Sequence, residues 1–271
     1  MFRLFITSWL SMCVCFHANA QDVVIQGFER EDYFTTMLRH ALTYTPNSDY
    51  QLSFHGKDVP KARVMEMIAN EQEIDVIAGS STRDRESKLR PIRIPLLKGM
   101  NGWRIPLVMS QEILKDVRTL NDLRRFEAGQ LHSWSDTKIL ASNQVPIIPG
   151  SDYFGLFDML KNSRFDYFPR SVLEISGEYQ RVKQMGIKID NNIIIKYPSA
   201  YYFYVNKQAS TLAKDIEYGL KAAIEDGSFD KIFGQYYDHA LKVISSHERT
   251  SITLINPLIP SNPTIIDNTS M

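Results

Sequence analysis

Three stretches of the chain carry side chains able to grip a small charged solute. Thr82-Arg83-Asp84-Arg85 follows Gly79 and places two guanidinium groups in one turn. A guanidinium presents parallel N–H groups that match the two oxygens of a carboxylate. The plain alternative is a charged surface turn, because Arg83, Arg85, Lys88, Arg90 and Arg93 crowd here. The second stretch runs from Gly129 to Thr137 and leads into a helix. Unpaired N–H groups at a helix start attract anions. Ser133, Ser135 and Thr137 add hydroxyls, and Trp134 could wall or stack on a solute. Ser135 or Asp136 acting as a simple helix cap is the competing reading. The third stretch ends in Arg170, with Glu174 four residues on and Glu178 eight on. Arg170 either pairs with these carboxylates or faces a ligand, and Glu174 could complete the site. Tyr33 and Trp103 are candidate aromatic walls, although core packing is the commoner fate of such residues.

Catalytic chemistry is poorly represented. His132 has no second His or Cys near it in sequence. Carboxylates are scattered, and there is no Ser-His-Asp spacing, His metal pair or phosphate-binding glycine loop. No cofactor is expected. Both cysteines, Cys13 and Cys15, lie in the first twenty residues.

The elements that must position these groups alternate in type. Val23-Val24-Ile25 reads as a strand and Asp32 caps a helix through Phe34, Met37, Leu38 and Ala41. Tyr50 to Phe54 alternates like a strand, Pro60 opens a second helix, and Ile74 to Ala78 is a buried strand running into Gly79. This β-α-β-α-β order implies a parallel sheet flanked by helices. The pattern then resets. Strands are expected at Ile105–Met109, Val145–Ile148 and Phe165–Phe168, the last closed by Pro169. Helices are expected from Thr119, over Thr137–Ala141, over Tyr153–Leu160 and over Ser171–Met185. Ile193 to Ile195 and Tyr201 to Val205 return to strand, Leu212 to Glu225 is an amphipathic helix, and another helix follows Gly227. From Ser245 the chain is rich in Pro, Asn, Ser and Thr and reads as a loop-like tail packing on the surface.

The chain has 271 residues, with 31 basic against 31 acidic side chains, so no broad positive field attracts nucleic acid. Arg3, the apolar stretch Leu4–Phe16 and the small residues of Ala18-Asn19-Ala20 have the layout of a secretory signal peptide over residues 1–20, cut after Ala20. The apolar stretch is too short for a membrane span. Leu10 to Cys13 weakly matches a lipoprotein cleavage box.

The order of motifs resembles the type II periplasmic solute-binding proteins, the family 3-like group that includes amino acid ABC transporter receptors. Ile74-Asp75-Val76-Ile77-Ala78-Gly79 with Thr82-Arg83-Asp84-Arg85 is similar to that family's strand, glycine and Thr-x-x-Arg turn. Thr119 to Leu123, the Gly129–Thr137 loop, Leu160 to Asp166 and Ala222 to Phe229 match further family segments, with Ser163 replacing a usual glycine. The resemblance spans almost all of Gln21 to Leu241. It implies an α/β protein of two lobes, each a mainly parallel sheet with flanking helices, joined by two hinge strands. Lobe 1 would comprise residues 21–103 plus 200–245 and lobe 2 residues 104–199, with 246–271 as the tail.

The resemblance also implies a solute held in the inter-lobe cleft, with Arg85 forking onto its carboxylate. The turn is one residue shorter than usual, so Arg83 could take that place. Receptors of this family usually set an acidic residue after the Asp166–Phe168 strand to hold an ammonium, whereas here Arg170 and Ser171 stand there. That departure favours an anionic or carboxylate-bearing solute. The function implied is periplasmic solute binding for ABC-type uptake, without catalysis, by a monomer whose partners are the solute and an inner-membrane permease. The alternatives are a receptor passing a ligand signal to a membrane sensor and a periplasmic dehydratase-like enzyme on the same scaffold.

Overall fold

The computed structural model describes residues 21–45 and 49–260. The proposed signal peptide, its cleavage at Ala20 and the weak lipidation box at Cys13 lie outside the described residues, as do residues 261–271.

The first half opens with β1 (Gln21–Ile25), α1 (Tyr33–Leu42), β2 (Tyr50–Phe54), α2 (Lys61–Ala69), β3 (Ile77–Ser80), α3 (Arg83–Lys88) and β4 (Arg90–Ile92). Asp32 caps α1 as expected, accepting from the Thr35 N–H at 2.8 Å. β1 and β2 pair in parallel, and Ile25 bridges to Val76. β3 therefore starts at Ile77, later than the apolar run that begins at Ile74, because residues 74 to 76 are used up in reaching that bridge.

The chain then crosses into a seven-stranded sheet through β5 (Trp103–Val108), followed by α4 (Leu120–Leu123), β6 (Ala128–Leu131), α5 (Ser135–Ser142), β7 (Ile147–Gly150), α6 (Tyr153–Lys161), β8 (Tyr167–Ser171), α7 (Ile175–Val182), β9 (Lys188–Ile189) and β10 (Ile193–Lys196). It returns through β11 (Tyr201–Val205) and closes with α8 (Ser210–Glu225), α9 (Ser228–Ser245) and β12 (Thr250–Thr253). β11 lies between β3 and β4, so the returning strand completes the first half.

β6 pairs in parallel with both β7 and β8, as crossover helices require. β5 and β11 carry the chain between halves and run antiparallel to their partners, so the seven-stranded sheet of the second half is mixed and β3-β11-β4 is antiparallel throughout, not the mainly parallel sheet expected of the first half. Pro169 does not close β8. It sits inside the strand opposite Pro106 of β5, and neither residue has an N–H to offer. The helix expected from Ser171 starts only at Ile175, because Ser171 still pairs with Arg104. The tail reading also needs correction. Thr250–Thr253 pair in parallel with β10 and bury Ile252, so hydrogen bonding to an open sheet edge outweighs the loop-like composition.

Two glycines fix close approaches. A Cβ at Gly219 of α8 would lie 1.8 Å from the Ala41 carbonyl oxygen, so α1 and α8 pack backbone to backbone. A Cβ at Gly102 would meet the Tyr197 carbonyl oxygen at 2.0 Å. This holds the outgoing and returning segments together, and the Tyr197 N–H donates to the Gly102 carbonyl at 3.0 Å.

Candidate functional site

A cavity of about 340 Å³ opens between the two halves. The first half supplies Ser80, Ser81 and Thr82 from the end of β3 and the turn into α3. The second half supplies Trp134, Ser135 and Asp136 at the start of α5, Arg170 and Ser171 at the end of β8, and Glu174 just after it. The crossing segments add Asn101, Arg104, Tyr197 and Ser199, and the C-terminal segment adds Asn256 and Leu258. The walls thus carry hydroxyl, amide and charged groups, with Trp134, Ile139, Tyr197 and Leu258 as their large apolar surfaces.

Two ion pairs organise the second-half wall. Arg104 grips Asp136 with Nε at 2.7 Å and Nη2 at 3.2 Å, and Tyr197 donates its hydroxyl to the same carboxylate. Arg104 Nη1 donates to the Asn101 and Trp103 carbonyls, which fixes the guanidinium against the crossing. Burial opposes both charges, and the pairing outweighs it: Asp136 is held below the ordinary carboxylate value and Arg104 above its own. Arg170 is 6% exposed and pairs with Glu178, itself 4% exposed, through Nε at 2.8 Å and Nη2 at 2.6 Å. Its guanidinium lies 4.5 Å from the centroid of the Trp134 ring and 4.8 Å from that of Phe168. Tyr153 donates to Glu178 at 2.8 Å, and burial together with this carboxylate raises the phenol to about 12. Glu174 stands 3.4 Å from Arg170 with its side chain 63% exposed, which makes it the freer carboxylate of the wall.

α5 begins without a side-chain cap. Trp134 holds the cap position, while Asp136 is committed to Arg104 and the Thr137 hydroxyl donates to the Leu131 carbonyl. Neither Ser135 nor Asp136 serves as the cap that the sequence suggested. No side chain caps the first N–H groups of α5, whose residues Ser135 and Asp136 line the cavity, and a helix start favours negative charge.

The structure brings Thr82, Trp134, Ser135, Arg170 and Glu174 to one cavity and leaves Arg85, Ser133, Tyr33 and Trp103 outside it. Arg85 turns back onto its own strand. Its Nη1 donates to the Ser80 carbonyl, and its guanidinium sits 5.5 Å from the Tyr204 ring centroid. Bare Gly79 makes room for it, since a Cβ there would meet Arg85 Cζ at 2.8 Å. Arg83 is exposed, so neither arginine of the turn reaches the cavity. Ser133 is exposed before the helix begins. Tyr33 is buried, donates to the Leu96 carbonyl at 2.5 Å, and packs edge-on against Phe34, Phe233, Tyr236 and Tyr237. Trp103 faces away from the cleft because its strand neighbour Arg104 faces into it.

Arg104, Asn101, Tyr197, Ser199 and Asn256 were missed from sequence. A charged residue leading the apolar strand Ile105–Val108 was the available signal for Arg104. Tyr197 reads by composition as packing in an aromatic-rich segment, and Asn256 lies in the stretch read as tail. Asn256 donates to the Pro198 carbonyl at 2.9 Å, which ties the C-terminal segment to the returning crossing. Among the described residues, no group of three or more His, Cys, Asp or Glu side chains is arranged to hold a metal ion, and no helix is long and apolar enough to cross a membrane.

No protein-family model and no curated protein sequence matches the chain. Solved structures do. An ancestral arginine-binding protein bound to arginine is 18% identical, covers 82% of this chain and 100% of its own, and has a TM-score of 0.53. A probable amino-acid ABC transporter extracellular-binding protein from Bacillus subtilis is 16% identical over 80% of this chain and 98% of its own, with a TM-score of 0.62. The GluR0 ligand-binding core in complex with L-glutamate is 13% identical over 82% of this chain and 99% of its own, with a TM-score of 0.56. The chain has the α/β, two-lobed type II periplasmic binding fold of these proteins.

Proposed function

We propose that the chain is an exported, non-enzymatic solute-binding protein that takes one small polar solute into the cleft cavity and delivers it to an inner-membrane ABC-type permease. The observation that carries this reading is the shared lining. Ser80 to Thr82 of one half and Trp134 to Glu174 of the other each supply part of the wall, so closure would desolvate a ligand from both sides. The lobe boundaries at 103/104 and 199/200, the signal peptide, the periplasmic location and the monomeric state belong to the same proposal. Structures of similar fold that bind arginine or L-glutamate support a solute with an amino-acid-like head.

The preference for an anion is narrowed by the charge balance. Arg104 is matched by Asp136 and Arg170 by Glu178, which leaves Glu174 as a surplus carboxylate. The solute we infer carries a carboxylate, met by the hydroxyls of Thr82 and Ser135 and the N–H groups at the start of α5. It also carries a cationic or hydroxyl group, met by Glu174. The test is a thermal-shift and titration screen of the purified chain against L-amino acids, dicarboxylates and amines. One-to-one binding of a zwitterion that raises Tm is expected, weakened roughly tenfold by Glu174→Gln, the loss of about one charge-assisted contact. A dicarboxylate that binds tightly and equally to both forms would contradict the assignment of Glu174. A second reading, ligand sensing at a membrane receptor, is favoured by the likeness to the GluR0 core and needs the same cleft.

A further inference from the structure

Strand alternation sends adjacent residues to opposite faces. At the crossing, Arg104 and Tyr197 face the cleft, while Trp103 and Lys196 line a second cavity of about 530 Å³. These last two residues are directly paired in register between β5 and β10. Met100 of the approach to β5, with Leu241 and Ile244 of α9, supplies apolar wall. The volume lies within the roughly 300–1,000 Å³ range of small-molecule sites. The two cavities share no lining residue, so this inference stands apart from the cleft reading.

Three lysines line this cavity, and they are not equivalent. Lys98 is bound to Asp230 at 2.7 Å, and Lys242 to Asp238 at 2.5 Å. Lys196 has no carboxylate within ion-pair distance among the described residues. Its ammonium lies 3.9 Å from the centroid of the Trp103 ring, and burial holds it below the ordinary lysine value. A half-buried cation whose only described electrostatic partner is an aromatic face gains from an anion that arrives with its own apolar surface.

We propose that this cavity is a second ligand site for an amphipathic monocarboxylate, with the carboxylate on Lys196 and an aliphatic or aromatic body along Trp103, Met100, Leu241 and Ile244. One charge suffices because the other two lysines already hold carboxylates. Met100, Trp103, Leu241 and Ile244, set beside the paired Lys98 and the Lys242–Asp238 pair, favour a hydrocarbon body over a hydrated ion.

The test is isothermal titration of the full chain with octanoate, kept below its micelle concentration, beside acetate and octylamine. Octanoate is expected to bind one-to-one, with acetate and octylamine at least tenfold weaker and Lys196→Gln weakening octanoate roughly tenfold. Circular dichroism and the melting profile of Lys196→Gln verify its fold. On the unmodified chain, octanoate is expected to slow acetylation of Lys196 by an activated acetate ester, read by peptide mass spectrometry, while exposed Lys221 keeps its rate. No octanoate binding, equal binding to Lys196→Gln, octylamine or acetate binding as tightly as octanoate, or unprotected Lys196 each overturns the proposal.

Discussion

Glu178→Leu is expected to destabilise the folded chain by about 3–5 kcal/mol, the penalty for leaving a buried charge without its partner. Arg170 is almost wholly enclosed by Trp134, Phe168 and Tyr153, and Glu178 is its close bidentate acceptor. Removing Glu178 leaves the guanidinium with Glu174 at 3.4 Å, whose exposed side chain is a weak substitute. It also strips Tyr153 of its acceptor. The melting temperature should fall by roughly 10 °C, at about 2–4 °C per kcal/mol for chains of this size. The double change Arg170→Met with Glu178→Leu should recover much of the loss, because a well-packed apolar pair needs no desolvated charge. Urea unfolding of the three forms measures this. A loss under about 1 kcal/mol in the single variant would show that Arg170 is solvated rather than enclosed.

The second large effect concerns Asp136 and is read as a function of pH. Burial alone would raise this carboxyl, but Arg104 and the Arg104 and Tyr197 hydrogen bonds lower it below 3.8. A lowered folded-state value means that the unfolded chain takes up the proton first as pH falls. The stability from the Arg104–Asp136 pair is therefore fully present above the ordinary value of 3.8 and is lost as pH drops through the lowered one. Asp136→Asn should cost about 3 kcal/mol at neutral pH, since the largely enclosed Arg104 is then left with neutral acceptors only, the Asn amide oxygen and the Asn101 and Trp103 carbonyls. The gap between the two forms should close below pH 3.8. Chemical denaturation at neutral pH and at several acid values gives the curve. A gap of equal size at every pH would mean that Asp136 does not act through its charge.

How much of this was legible in the sequence follows from which interactions are local. The Asp32 cap, the helical spacing of Phe34, Met37, Leu38 and Ala41, and the Thr119 start signal are set within a few residues, and each appears in the structure. The α/β alternation and the resemblance that followed from it led to the fold. Long-range pairing was not legible. Thr250–Thr253 became a strand because β10 offered an edge, and Pro169 could stay inside β8 because Pro106 lies opposite.

The site divides along the same line. Trp134, Ser135, Arg170 and Glu174 end a strand, follow one or begin a helix in the second half, and topology carries such positions to a cleft. Arg85 was misplaced because a six-residue helix, a bare Gly79 and the ring of Tyr204 together gave its guanidinium a nearer partner than any ligand. Trp103 and Arg104 are neighbours with opposite fates, and composition does not tell which face of β5 looks into the cleft.

Native mass spectrometry of protein recovered gently from its own host shows whether the cavity between Ser81 and Glu174 captures one small polar molecule. A fraction of chains should carry a single small-molecule adduct. That adduct should be missing from Ser135→Phe, in which an aromatic ring fills the cavity from an exposed position at the start of α5. An adduct retained at the same mass and occupancy in Ser135→Phe would place the ligand outside this cavity.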